Sequence, residues 1–207
     1  MKAYLTDGTM PVYYESGKKA EEVTFKNRKR HGLWTKWYES GKLLSEFRFK
    51  DGKRHGRFIS WYENGIINDE SFYKDGKPEG VHTEWFEDGK PKSLTTWKNG
   101  TVEGQQIYWY ENGQKQIQSN YKNGKREGKV IGWYENGQQQ TQSNYINGKR
   151  EGKVIGWYEN GQKHYEDNYE DGIPDGYSVT WRENGSKRKE EVYKHGFCWN
   201  RTNHVED

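Results

Sequence analysis

The chain has 207 residues, of which 34 are Lys or Arg and 31 are Asp or Glu, for a formal net charge of +3. Leu, Ile, Val and Phe together supply about 14% of it, below the roughly 20% under which chains of high net charge are disordered. The small net charge and 16% aromatic content argue against disorder, and against a thick aliphatic core; Trp and Tyr must supply the buried area. Cys198 is the lone cysteine, so an intrachain disulfide is excluded. No segment has the apolar run of a signal peptide or a membrane span, so the expected compartment is the cytoplasm.

In chain order, residues 1–12 form a partial repeat, with Asp7 and Gly8 in the places that open a strand in later repeats. Residues 13–204 form eight tandem repeats of 24 residues without an insertion, expected to be one continuous domain. The period is marked by Trp37, Trp61, Trp85, Trp109, Trp133, Trp157 and Trp181, with Tyr13 in the same place at the start. Residues 197–207 depart from the pattern and overlap the last repeat. Both ends are expected to cap edge strands, as a repeat stack requires.

Trp109 to Gly132 serves as the type repeat, numbered 1 to 24 from its Trp. Position 3 is always Glu and position 5 always Gly; position 13 is always aromatic. Position 20 is Gly in seven repeats and Asn200 in the eighth; position 16 is Gly in seven, with Arg28 in the first. Two turn signals recur, Glu-Asn-Gly-Gln at 3 to 6 and Lys-Asn-Gly-Lys at 14 to 17. Asn-Gly supplies the positive φ angles of tight hairpins. The residues between are strand-length and rich in Tyr, Trp, Thr, Val and Ile. Each repeat therefore reads as two antiparallel strands. The whole is an all-β, elongated, single-layer meander of about 16 strands, roughly 75 Å long at about 4.8 Å per strand.

A two-residue turn at 4 and 5 pairs 2 with 7 and 20 with 13. At the second turn a four-residue loop pairs 13 with 20 again, whereas a two-residue loop slips each repeat by two. Alternation then puts positions 2, 7, 9, 11, 13, 20, 22 and 24 on one face and the Trp at 1, with 10 and 23, on the other. Gly at 20 is expected to make room for the ring at 13.

The aromatic pair followed by Glu-Asn-Gly, and the later aromatic-Lys-Asn-Gly-Lys-x-Glu-Gly of Tyr121 to Gly128, resemble the MORN repeat and more closely its bacterial variant. The resemblance runs from residue 13 to about 196. Proteins of this kind and size are similar to YwqK-type antitoxin or immunity proteins, which implies a non-enzymatic protein that neutralises a cognate bacterial toxin. The classical repeat also implies scaffolding and membrane association.

The residues offer no catalytic, cofactor or metal constellation. His31 and His55 share position 19 without an accompanying Cys or carboxylate cluster. Glu22, Glu46, Glu70, Glu166 and Glu190 form a row at position 10, but two strand spacings apart, roughly 10 Å, is too far for a catalytic pair. The expected contacts with a protein partner are Tyr38, Trp61, Tyr62, Trp85 and Phe86, with Trp34, Phe58 and His82 at variable position 22 setting specificity. The alternative is a scaffold for anionic membrane or nucleic acid. It would use the basic turn edge of Lys29, Arg30, Lys53, Arg54, Lys125, Arg126, Lys149 and Arg150. The fifth and sixth repeats differ only at Lys115/Gln139, Ile117/Thr141 and Lys122/Ile146, which suits spacers. The chain is expected to act as a monomer.

Overall fold

The computed structural model describes residues 7–205. The parts of the two expected caps formed by residues 1–6 and 206–207 lie outside the described residues. No helix occurs among the described residues, and all 22 strands are antiparallel in their pairings. The count exceeds 16 because Gly8–Tyr13 adds a strand and the second strand of five repeats is split. In the type repeat it is divided into Lys125–Arg126 and Gly128–Trp133.

That split has a local cause. Asn123 and Gly124 both take positive φ, 51° and 76°, as in a two-residue type I′ hairpin turn. Lys122 pairs with Lys125 and Tyr121 with Arg126. Further along, Gln118 pairs with Ile131 and Ile117 with Gly132, so the ladder has advanced by two residues. A bulge beginning at Glu127 absorbs them, with Gly128 at φ 75°. Both turn readings therefore coexist: a two-residue tip, and the in-line register of a four-residue loop. Position 10 then faces position 23 on both sides. In residues 1–101 the row runs Glu22, Thr35, Glu46, Ile59, Glu70, Thr83 and Leu94.

Two expectations are corrected here. The first turn is a three-residue loop, not a two-residue one. The Gly113 amide donates to the Tyr110 carbonyl and the Tyr110 amide to the Gln114 carbonyl, 2.9 Å each. Gly113 alone carries the positive φ, 89°, the usual arrangement of a type I turn followed by a left-handed glycine. Trp109 consequently pairs with Lys115, skipping Gln116. Position 7 thus moves to the Trp face, where Lys115 Nζ lies 5.9 Å from the Trp133 ring. The second correction concerns Gly at position 20. A Cβ on Gly128 or Gly152 meets nothing within 4 Å, so the glycine serves the bulge's φ and not the ring. Room for a ring is needed instead at position 24, where a Cβ on Gly156 would lie 2.2 Å from Tyr165.

Within residues 7–101 and within residues 102–205, hydrogen bonds tie turns to the same turn one repeat on. Along one edge the position-2 Tyr hydroxyl donates to the next position-1 carbonyl: Tyr14 to Trp37, Tyr38 to Trp61, Tyr62 to Trp85, Tyr110 to Trp133, Tyr134 to Trp157 and Tyr158 to Trp181. Asn64, Asn112, Asn136 and Asn160 donate to the next position-3 carbonyl. Each also accepts from its own turn's amide two residues on, an Asx turn. Along the other edge the position-16 glycine amide donates to the preceding position-18 carbonyl, as Gly76 to Arg54 and Gly148 to Arg126. The acidic side chain at 19 accepts the next position-15 amide: Glu79 from Asn99, Glu103 from Asn123, Glu127 from Asn147, Glu151 from Asp171. His55 fills the same role with its Nδ1, 3.4 Å from the Asp75 amide.

The chain divides into two compact units, Met1–Thr101 and Val102–Asp207. In each, the interior is thin. Its buried apolar residues are Val23, Phe49 and Ile59 in the first and Ile107, Val130, Tyr145 and Val154 in the second. Small hydroxyl residues are as buried as these, among them Ser45, Ser71, Ser93, Ser119 and Ser143.

The ends contribute strands. Gly8–Tyr13 pairs with Lys19–Lys26 in the regular register, Gly8 opposite Phe25. Phe197–Asn203 pairs with Lys187–Lys194 but is one residue out of step: Glu190 faces Thr202, not Asn203. Asn200 stands there in place of the bulge glycine, and the two-residue bulge shrinks to one. The slip turns the final strand's side chains over relative to every earlier repeat.

Arg28 holds the left-handed place of a glycine, at φ 60°. That conformation costs a side chain about 1–2 kcal/mol, partly offset by glycine's greater freedom when unfolded. Arg28→Gly is expected to raise stability by about 0.5–1 kcal/mol, read as a higher urea midpoint at unchanged slope. A lowered midpoint would show that the arginine side chain contributes more than its backbone costs.

Candidate functional site

With the turns committed to bonding between repeats, positions 9, 11, 18, 22 and 24, on the same face as the constant ring at 13, are free to vary. In residues 1–101 that face begins with an aromatic cluster. Trp34 and Phe47 lie 5.6 Å apart between ring centroids, Trp34 and Phe49 5.8 Å, and Phe47 and Phe58 4.2 Å. The Trp34 Nε1 donates to Glu21. Arginines close the cluster: Arg30 stands 4.3 Å from the Trp34 ring, and Arg54 5.1 Å from Phe47 and 5.2 Å from Tyr73. The face then turns polar. His82 Nε2 lies 2.8 Å from Asp69 Oδ2. That hydrogen bond raises His82 above its ordinary value of 6.5, against the opposing effect of partial burial.

In residues 102–207 the same rows hold a ladder of tyrosines and arginines. Arg126 and Arg150 donate to the Tyr121 and Tyr145 hydroxyls, 3.3 Å each, and Arg150 also to Tyr169 at 3.4 Å. Burial alone pushes the Tyr145 phenol up, but Arg150 and Arg126 outweigh it and hold the group below its ordinary 10.0. Beyond the ladder a cleft of about 340 Å³ opens, lined by Tyr165, Asp167, Tyr169, Lys189, Glu191 and Tyr193 among others. Glu191 is 3% exposed in its side chain and is held by Lys189 and Arg201. Its shielding comes from immediate neighbours in a thin sheet. Burial raises its carboxyl, yet the two cations bring it below the usual 4.5.

The sequence-derived candidates separate into two groups. Trp34, Phe58 and His82 share the variable face, and Phe47 bridges the first two. Phe47 and Asp69 were not singled out by sequence reasoning, although Phe47 is the one aromatic at position 11. Tyr38 and Tyr62 lie at the turn edge with their hydroxyls on neighbouring carbonyls, each at 2.8 Å. Burial, then nearby glutamates, raise both phenols and keep them donors. Phe86 occupies the same place without a hydroxyl. Trp61 and Trp85 are half-buried on the opposite face, paired with Ile67 and Pro91.

The basic edge is also divided. Arg30, Arg54, Arg126 and Arg150 turn onto rings at 4.3–5.5 Å. Lys29, Lys53, Lys125 and Lys149 run beside the next turn's glycine, 3.4–3.7 Å from where its Cβ would stand; Lys149 also pairs with Asp171. His31 and His55 sit at that edge, 3.6 and 3.3 Å from Asp51 and Asp75. Of the carboxylate row, Glu22, Glu70, Glu166 and Glu190 each have a basic partner.

The MORN repeat variant matches the chain seven times, over residues 6–27, 30–51, 54–75, 78–99, 102–123, 126–147 and 150–171. No curated protein matches it. Among solved structures, a chain of the TcdB2–TccC3–Cdc42 crystal structure is 11% identical, with a TM-score of 0.24. The alignment covers 91% of this chain and 12% of that one, and so slight a likeness carries no argument about function.

Arg201→Ala removes one of the two cations on a nearly buried carboxylate. It is expected to destabilise the chain, read as a lower urea midpoint. The pH dependence follows from the lowered carboxyl. The pair's contribution is full above the ordinary 4.5 and is lost as pH falls through the folded-state value. Urea titrations between pH 3 and 7 should therefore show the variant losing less stability on acidification than the parent chain.

Proposed function

We propose, because this chain belongs to the MORN repeat variant family, that it is a non-enzymatic repeat protein that binds a protein partner, and that this partner is a bacterial toxin whose working surface it covers. In this reading the chain acts as a cytoplasmic monomer. The observation that carries it is the division of labour within each repeat. The turn positions are committed to bonds between repeats, while the face at 9, 11, 22 and 24 changes from repeat to repeat. Trp34, Phe47 and Phe58, flanked by Arg30 and Arg54, bring together the residue types that dominate protein interfaces. Glu21, Asp69, His82 and Glu84 supply a charged border, as an interface rim requires.

The anionic-ligand alternative is less well supported. The four edge arginines are engaged with rings, and such stacked guanidinium groups give up part of their reach toward phosphate.

The test is direct. The purified product of the neighbouring gene, mixed with this chain, should form a stoichiometric complex, and co-expression should relieve its toxicity. Trp34→Ala should weaken the complex about 30-fold, the effect of losing about 2 kcal/mol at an interface hot spot. Raising salt from 50 to 500 mM should change affinity by less than about tenfold, since an aromatic-centred contact is weakly screened. Recovery of lipid or nucleic acid that dissociates steeply with salt, and no complex with the toxin, would overturn the proposal.

A further inference from the structure

The fold needs no charge at positions 9, 22 and 24. The preceding repeat has Ser45, Phe58 and Ser60 there, and a later one Ile117, Val130 and Gly132. In between, the same three places hold Asp69, His82 and Glu84. Asp69 lies directly opposite Glu84 on the neighbouring strand, and like charges so placed repel. His82, two residues before Glu84, projects to the same face. One potential ligand atom from each of the three lies within 4.8 Å of the other two, and all three residues are half-buried.

We propose that Asp69, His82 and Glu84 form a binding site for a divalent transition-metal ion, with zinc the best match. Bonds of about 2.0–2.2 Å put tetrahedral ligands roughly 3.4 Å apart. His82 Nε2 and Asp69 Oδ2, 2.8 Å apart, would part slightly, and the Glu84 oxygen, within 4.8 Å of both, would move in by at most about 1.4 Å to reach that spacing, within reach of side-chain rotation. A bound dication would neutralise the two carboxylates, whereas an imidazolium brings only one positive charge. The outer bonds of such a site are already in place. Ser71 Oγ donates to Asp69 Oδ1 at 3.3 Å and Ser93 Oγ to Glu84 Oε2 at 2.9 Å. Each carboxylate is thereby oriented through one oxygen, the role played by outer-shell bonds around metal ligands, and the present bond between Asp69 Oδ2 and His82 Nε2 would give way to the ion. One imidazole and two carboxylates suit zinc, whereas calcium and magnesium favour oxygen-only sets. Three protein ligands and partial exposure leave the fourth position to water.

This inference does not depend on the identity of the protein partner, and its test needs none. The untagged full chain, stripped with chelator, is titrated with zinc chloride by calorimetry, and with cobalt by visible absorption. One zinc per chain is expected, with a rise in melting temperature and a four-coordinate cobalt spectrum. His82→Gln and Glu84→Gln should each lower affinity at least tenfold, with far-ultraviolet circular dichroism unchanged. His55→Gln, at the turn edge, should bind as the parent does. Three results overturn the proposal: no saturable zinc binding below 1 mM, binding unchanged in both site variants, or calcium bound as tightly as zinc.

Discussion

Everything in each unit depends on the hydrogen bonds that join turns to their counterparts 24 residues on. A thin antiparallel sheet has little interior, and here serines are as buried as valines. Hydrophobic burial alone cannot fix the spacing of such strands. The Tyr hydroxyls and Asn amides on one edge, and the glycine amides and Glu carboxylates on the other, supply that spacing from side chains and main chain together. Each satisfies a backbone group that a turn otherwise leaves to water. One extra residue in either turn would break two bonded columns at once, which accounts for a period that runs without an insertion.

The same economy explains the bulge. A type I′ tip and an in-line ladder are incompatible in register, and two extra residues after the tip reconcile them. The left-handed glycine at position 20 is the device that makes this possible. Where it is missing, at Asn200, the correction is incomplete and the final strand lies one residue out of step.

Charge is distributed with equal consistency. On the Trp face the acidic row at position 10 is neutralised by basic residues at 7 and 21, as Glu166 is by Lys163 and Lys153. On the other face arginines at 18 sit between rings at 13. What looks in sequence like a basic edge is thus half a packing feature. The positions left over carry the chemical variety of the molecule: an aromatic cluster and the Asp69–His82–Glu84 group in residues 1–101, and a tyrosine–arginine ladder and a polar cleft around Glu191 in residues 102–207.

How much of this could be read before folding follows from what is local. Strand, turn and repeat are set within a few residues by Asn-Gly, aromatic and glycine signals, so the all-β class, the 24-residue period and the alternation between 9 and 13 were legible. Gly8 opposite Phe25 was legible for the same reason. The three-residue first turn was not, because Asn-Gly suits two loop geometries, and the Tyr110–Gln114 bond that selects one also draws in Trp109 and Lys115. The role of the glycine at 20 was misread because its partner is a φ angle, not a ring. Of the candidate site, Trp34, Phe58 and His82 were visible as variation inside a constant frame. Phe47, Asp69 and Glu84 were not, since their meaning lies in neighbours on other strands. Sequence by itself determined the period, the strands and the turn residues, because these rest on local backbone preferences. Only the tertiary structure decided which side chains meet: register sums bulges and turns over whole strands, and a shift of one residue carries a side chain to the opposite face.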